Sequence, residues 1–405
     1  MARSSILLSH FTALEVCSGL AAQVACGASG ACSLREALGL GLIRVSDRKV
    51  DFARVGHAPA NPVARSFVRG RADEVSSAIP ACKLGFPVHM ATSSDSQCRT
   101  RNDVVIVHRL SCPLPRRSVL RLSSAVLVCT PELAFVEIAG QGLSMVGLLE
   151  LGYELCGTYR AALSCHSDGQ MPTAADRLAG VSSSDTGALS SVGAELGMTI
   201  GLDAVRSNGA PIEFAGPSLD RAGCYDALPL AMVSSIHDFA VNNPSLRGSH
   251  RVRKILPYLA GGSASSRETK LALLLGLPCH YGGYGLGVPS LNYKVALNDE
   301  ARAAARRSFV RCDLCWPESK LDVEYQSRFA HEGEGARVRD SRRSNALASM
   351  GWKTIGVTGE ELSSITSCDA VAKTVRLALG RKSRRMTDDF RRKNMELRYE
   401  LGLPC

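Results

Sequence analysis

Two acidic residues near the C-terminal third, Asp313 and Glu324, carry the most explicit chemistry in this 405-residue chain. Asp313 stands inside SFVRCDLCWP, between Cys312 and Leu314. An ionised carboxylate in the middle of an apolar strand is costly unless it is paired or ligates a cation. Glu324 stands in the next segment, SKLDVEYQS. If that segment is a strand, Leu321, Val323 and Tyr325 share one face, and Asp322, Glu324 and Gln326 share the other. A solvent-facing edge strand would account for the polar face cheaply. A hairpin through the turn at Pro317 and Glu318 would bring Asp313 and Glu324 together. Two carboxylates there repel unless a divalent ion lies between them. Oxygen ligands of this kind suit Mg²⁺ or Mn²⁺, and such an ion can activate water and offset charge on a phosphodiester. The competing reading pairs Asp313 with Arg311 or Arg343 and gives it no chemistry.

The surrounding elements are legible. Ser265 to Glu268 is an S-x-x-E capping box before an apolar run. It starts a helix through Leu275, which Gly276 and Pro278 stop. The loop HYGGYGLGVP matches no phosphate-binding glycine fingerprint and reads as flexible. LNYKVAL, SFVRCDLCWP, SKLDVEYQS and WKTIGVT read as strands. ARVRDSRRSNALASMG reads as a helix capped by Gly351, and a last helix runs from Glu360 to Leu379. The order is α-β-β-β-α-β-α, with both tryptophans, Trp316 and Trp352, inside it. Upstream, DVVIVH is a strand. AVLVCTPELAFVEIAG turns from strand to helix at Thr130 and Pro131, with Gly140 as its stop. The predicted organisation is a mixed α/β region over 1–165, a Ser/Gly-rich linker with helices over 166–262, and a C-terminal domain over 263–405.

Composition narrows the class. The chain is 45% hydrophobic and 21% charged, which excludes a collagen-like or wholly disordered protein. No apolar run is long enough for a spanning helix, so no membrane partner is expected. A net charge of +10 favours a polyanion such as DNA. The 15 cysteines have no framework spacing, so reduced thiols and a cytoplasmic location are expected. Cys312 and Cys315 form a C-x-x-C pair without the second pair that a zinc site needs. Arg337, Arg339, Arg342 and Arg343 lie on one predicted helix and could contact phosphates, as could the basic tail from Arg381.

The ordered stretch SSRETKLALLLGLP, LNYKV, RCDLCWPESKLDVEYQS and RVRDSRRSNALASMGWKTIGVT resembles the domain-of-unknown-function family related to very-short-patch-repair endonucleases. That family sits within the PD-(D/E)XK restriction-endonuclease-like superfamily. The resemblance covers about a third of the chain. It implies a restriction-endonuclease-like core following a mixed N-terminal region, α+β or α/β overall. Asp313 then matches the strand Asp, Glu324 the strand Glu and Glu268 the helix Glu. Asp340 and Arg343 match an R-D-x-x-R helix, and Trp352 a Gly-Trp strand. Gln326 stands where the superfamily has its Lys, and Gln326-Ser327 replaces the usual Asp-Gly. His331 falls where related nucleases place a histidine, whose neutral pKa suits acid–base work. A surface-loop His with no such role is the alternative. Lys320 is either a substitute cation or a solvated turn lysine. Glu268 serves either the site or the helix cap, two roles that combine only with difficulty.

The resemblance implies a Mg²⁺- or Mn²⁺-dependent endodeoxyribonuclease. Asp313 and Glu324 would hold the ion, Gln326 would orient water or substrate, and Glu268 and His331 would assist. VVIVHRLSCPLPRRSVLRLSSAVLVCTPELAFVEIA resembles the region after the winged helix of abortive-infection antitoxin-like (AbiEi-type) regulators, on the pattern of His108, a strand, Thr130-Pro131 and an apolar helix. A non-catalytic DNA-binding regulator that uses the nuclease fold as a scaffold is therefore the second functional reading. A protein-interaction module without nucleic acid is the third.

Overall fold

The computed structural model describes residues 6–27, 65–79, 84–92, 101–110, 114–123, 125–160, 227–326 and 334–405, with Ser33, Leu34, Glu36 and Cys82. His331 and most of the Ser/Gly-rich stretch lie outside them, as does most of the segment in which a winged helix would fall. The protein is mixed α/β and divides into two compact units, Met1–Pro257 and Tyr258–Cys405. No helix among the described residues is long and apolar enough to cross a membrane. Cys17, Cys82, Cys129, Cys156, Cys279, Cys312, Cys315, Cys368 and Cys405 are free.

In the first unit, β1 (Ile6–Leu8) leads into α1 (His10–Gly27), and α2 (Arg65–Ala78) precedes β2 (Val88–Thr92). Next come β3 (Val105–Arg109), β4 (Val119–Arg121) and β5 (Val126–Cys129), then α3 (Pro131–Ala139) and α4 (Met145–Leu155). Helices α5 (Val233–Asn242) and α6 (Ser249–Ile255) complete the unit. The sheet order is β3-β2-β1-β5-β4. β1 runs parallel to β5 and β2 parallel to β3, while the β1–β2 and β4–β5 pairs are antiparallel. β1, β2 and β5 are buried along their whole length, which is why they read as apolar runs rather than alternations. Thr130, Pro131 and Gly140 bound α3 as the sequence implies. Its residues are apolar nearly all round, and the helix is almost wholly buried. Where the described chain breaks, its ends are stitched together: Ala227 N–H donates to the Thr158 carbonyl at 2.9 Å and Leu230 N–H to that of Leu155 at 2.8 Å.

The second unit opens with α7 (Ser266–Gly276) and β6 (Ser290–Ala296), then α8 (Asp299–Ala305), β7 (Phe309–Trp316) and β8 (Leu321–Gln326). Helix α9 (Glu334–Ser349) and β9 (Lys353–Thr358) follow, then α10 (Gly359–Ser363), α11 (Ile365–Ala378) and α12 (Asp388–Glu400). The sheet order is β6-β7-β8-β9. β6–β7 and β7–β8 are antiparallel hairpins, and β8 pairs parallel with β9 across α9. β8 is thus an inner strand, not the solvent-facing edge its three polar residues suggested. Val295, Leu297, Ala301, Ala305, Val310, Cys312, Cys315, Ala346 and Leu347 form a core against which Trp352 packs. The thiols of Cys312 and Cys315 are buried within it.

Three local expectations change. Helix α9 ends as expected at Gly351 (φ +79°): Trp352 N–H reaches the Leu347 carbonyl and Gly351 N–H that of Ala348. Lys320, however, donates its ammonium to the Met350 carbonyl at 3.0 Å, so it caps this helix end. The expected last helix is broken at Ser364, which caps the start of α11. The glycine-rich loop is packed rather than flexible: Tyr284 and Leu286 are buried, and Tyr284 O–H donates to Asp369 at 2.8 Å. A Cβ at Gly283 would strike the Leu277 carbonyl. The basic tail is mostly exposed, Arg381, Lys382, Arg384 and Arg385 included, but two of its arginines are tied into the fold. Arg398 is fully buried among the carbonyls of Leu362, Ser363 and Pro404, and Arg392 pairs with Asp389 and Glu396 inside α12.

Gly283→Ala should cost roughly 1–3 kcal/mol through overpacking. Gly70→Ala, on an open position of α2 with nothing within 4 Å, should gain about 0.5–1 kcal/mol. Urea midpoints of the two variants, which should move in opposite directions, check both.

Candidate functional site

The site forms where the β7 ladders open. Register would set Asp313 opposite Asn292 on one side and Glu324 on the other, but pairing skips both positions. Asn292 takes a left-handed φ of 46°, which Asn tolerates better than most residues. The backbone groups this frees are met by carboxylates. Tyr325 N–H donates to Asp313 Oδ2 at 3.0 Å, and Asp313 N–H to Glu324 Oε1 at 3.3 Å. Asp313 and Glu324 are therefore cross-strand neighbours. Gln326 lies two residues beyond Glu324 on the same strand, its amide resting over Gly356 of β9.

Glu268 joins them from α7. Ser265 caps the helix by accepting from Glu268 N–H at 3.1 Å and donates its own hydroxyl proton to Glu268 Oε1 at 2.9 Å. Oε2 accepts from Ala264 N–H at 2.9 Å and from the Asn292 amide at 3.2 Å. Capping and site roles thus coincide in one buried carboxyl, against the expectation that they would compete. Burial raises its pKa, those hydrogen bonds oppose the rise, and the charge of Glu324 adds to it.

Two further members come from the sequence segments already singled out, in roles the sequence did not give them. Asp322 is fully buried on β8, and neither of its oxygens accepts a hydrogen bond. Burial and the neighbouring Glu324 push its pKa up to about 11, so it carries a proton that it can donate to Glu324. Arg343, matched above to a phosphate-contacting helix, instead turns inward from α9. Its guanidinium binds both oxygens of Glu324 and lies 3.6 Å from Asp322. Burial works against that charge, but Glu324, Asp322 and Asp313 more than restore it. Asp313 is pushed up to about 8 by burial and by the charges of Glu324 and Glu268. Four carboxyls, Glu268, Asp313, Asp322 and Glu324, therefore share the neighbourhood of one cation.

The ligand atoms of Cys312, Asp322 and Glu324 all lie within 4.8 Å of one another, so this group could hold a metal ion. The set differs from the expected pair: Glu324 is common to both, Asp313 is not a member, and Cys312 and Asp322 stand in it instead. The Cys312 thiol is held protonated by its bond to Cys315 and by burial, which makes it the weakest donor without an ion. Asp322 was readable as a polar residue on the Glu324 face. Its burial was not, because that depends on β9 and α9 covering an inner strand. Of the helix arginines, Arg342 is half-buried, and the side chains of Arg337 and Arg339 lie outside the described residues. Asp340 is exposed on the same helix.

Two curated relatives match the chain, both from Mycobacterium tuberculosis: the uncharacterized protein Rv2248 of strain H37Rv and the uncharacterized protein MT2308 of strain CDC 1551. Each is 25% identical over 129 residues, which is 32% of this chain and 43% of the relative. The chain thus spans less than half the length of these relatives. No family model matches, and no solved structure does.

The raised acids give a pH signature. An acid whose pKa is higher folded than unfolded stabilises the fold while protonated, and that stability is lost as pH rises through the window between the two values. For Asp313 the window runs from about 4 to about 8. Without divalent ions, stability should fall with rising pH there, by at most about 1.4 kcal/mol per pH unit per group. Asp313→Asn should flatten the trend. Urea unfolding of parent and variant at several pH values in chelator reads it.

Proposed function

We propose that the C-terminal unit hydrolyses DNA phosphodiesters with a divalent ion, Mg²⁺ or Mn²⁺, in the manner of the restriction-endonuclease-like superfamily it resembles. The observation that carries this reading is the meeting of Asp313 and Glu324 across the opened β7–β8 ladder, with Glu268 beside them. The carboxyls fit a hard divalent cation by chemistry and by charge, since the group holds more acid than Arg343 can neutralise. Such an ion supplies charge neutralisation at phosphate and an acidified water. Asp313 and Glu324 would hold it. Glu268, anchored by Ser265 and Asn292, keeps the acidic wall in place. Gln326 would orient a water or a phosphate oxygen by hydrogen bonding. Arg343 would keep Glu324 fixed and neutralised until an ion and a polyanion arrive. The surplus of basic over acidic residues, +10 over the whole chain, favours that polyanion electrostatically.

The second reading has its own support. Arg343 grips both oxygens of Glu324, so the residue on which the ion depends already has a counter-charge. In that reading the unit binds DNA without cutting it, as an antitoxin-like regulator would, and Arg343 replaces the ion as a structural cation.

Cleavage of supercoiled DNA by the full chain with Mg²⁺ or Mn²⁺ separates the two. The nuclease reading expects nicking that falls by at least about a hundredfold in Asp313→Asn and in Glu324→Gln. Glu324→Gln keeps hydrogen bonding while losing charge. Retention of DNA in a gel with no cleavage under either ion, and equal behaviour of parent and variants, would refute it in favour of the regulator.

A further inference from the structure

The N-terminal unit holds a polar group of its own. His10 follows β1, His89 lies on β2 and His108 on β3. Their rings stack, with centroids 3.7 Å apart for His10 and His108 and 5.0 Å for His89 and His108. A continuous chain of hydrogen bonds links them. His10 Nδ1 meets Ser9 Oγ at 2.9 Å, and His10 Nε2 meets Gln141 Nε2 at 2.7 Å. The same Gln141 nitrogen meets His108 Nδ1 at 2.6 Å, and His108 Nε2 meets His89 Nδ1 at 2.8 Å.

The orientation of the Gln141 amide sets one pattern of tautomers through the chain. With the Gln141 amide nitrogen set between the two rings, it donates to both, and His10 Nε2 and His108 Nδ1 present their lone pairs to it. The proton of His10 is then on Nδ1, facing Ser9 and, at 3.7 Å, the Glu137 carboxylate. The proton of His108 is on Nε2 and is donated to His89. His89 carries its own on Nε2, which is buried with no acceptor. Burial holds all three rings neutral: it lowers His89 to about 4 and His108 to about 3, with neighbouring positive groups adding to the effect, and it lowers His10 in the same direction.

Two imidazole lone pairs, one from the first residue of α1 and one from β3, therefore converge on one point, occupied by the end of an exposed glutamine. His10 reaches that point from a left-handed backbone, φ +51°. Such strain in a non-glycine residue persists where the surroundings impose it, often at functional positions.

We propose that this point is a binding site for a zinc-like transition-metal ion, with His10 Nε2 and His108 Nδ1 as ligands and Gln141 as a displaceable side chain. Neutral imidazole is the ligand such ions take. The outer contacts match what metal-bound histidines use. Each ring's other nitrogen is a donor, His10 toward Ser9 and Glu137, His108 to His89, which fixes tautomer and ring orientation. The remaining coordination positions open to solvent beside Gln141, the arrangement of a site that can exchange a ligand.

The test is titration of the full chain with Co²⁺, followed by displacement with Zn²⁺, in parent, Asp313→Asn, His108→Gln and Gln141→His. The expected result is a Co²⁺ ligand-field spectrum from imidazole ligation that is retained in Asp313→Asn and lost in His108→Gln, whether or not the C-terminal acidic group takes an ion of its own. Gln141→His changes only an exposed side chain. It should add a third imidazole and tighten binding by about tenfold or more. Three results would overturn the proposal: no ion bound by the parent, binding lost in Asp313→Asn but kept in His108→Gln, or binding indifferent to Gln141→His.

Discussion

The C-terminal unit is organised around a charge imbalance. Asp313, Asp322 and Glu324 crowd about the Arg343 guanidinium, with Glu268 beside Asp313 and Glu324. Carboxylates removed from water cannot all stay ionised beside one another. The fold meets this in three ways. Asp322 and Asp313 take up protons more readily than free carboxyls do. Backbone N–H groups and Asn292 are aimed at the acids. Arg343 sits on Glu324. A purely structural solution would be cheaper with apolar residues in these places, since buried ionic groups rarely stabilise relative to well-packed hydrophobic ones. That cost is the physical ground for assigning the group a function.

The topology makes the imbalance possible. β8 lies between β7 and β9, so one of its faces carries Asp322 and Glu324 into a covered region. The left-handed turn at Asn292 releases the β7 ladder on one side, and the two carboxylates replace ladder bonds on the other. Helix α7 contributes Glu268 from its first turn, fixed by the cap that starts the helix. The Schellman turn at Gly351, with Lys320 on the Met350 carbonyl, ends α9 where β9 must begin. Arg343 is thereby held at a fixed height against β8.

Much of this unit was readable in advance, for local reasons. The Ser265–Glu268 cap, the Gly351 stop and the alternation of LDVEYQS are short-range signals, and each produced the element it implied. The closeness of Asp313 and Glu324 followed from a hairpin with a short turn. What escaped was non-local. That β8 is an inner strand, and Asp322 therefore fully buried, depends on a parallel partner reached across α9. That Arg343 faces inward rather than toward phosphate depends on the rotation of α9, which a helix with few apolar residues leaves undetermined. In the N-terminal unit, His10 opens α1 directly after β1, while His89 and His108 lie on β2 and β3, adjacent strands of the sheet that stand far from His10 along the chain. No spacing rule joins them, and the one signal available was a histidine in each of three apolar segments.

The central claim is that burial keeps protons on Asp313 and Asp322 while Arg343 pairs with Glu324, in readiness for a divalent cation. Calorimetric titration of the full chain with Mn²⁺ near neutral pH, repeated in buffers of different ionisation enthalpy, counts the protons released as the ion binds. The account predicts saturable binding with a net release of protons, diminished in Asp313→Asn. Binding without proton release, or no binding by the parent, would contradict it and leave Arg343 as the only cation this group was built to hold.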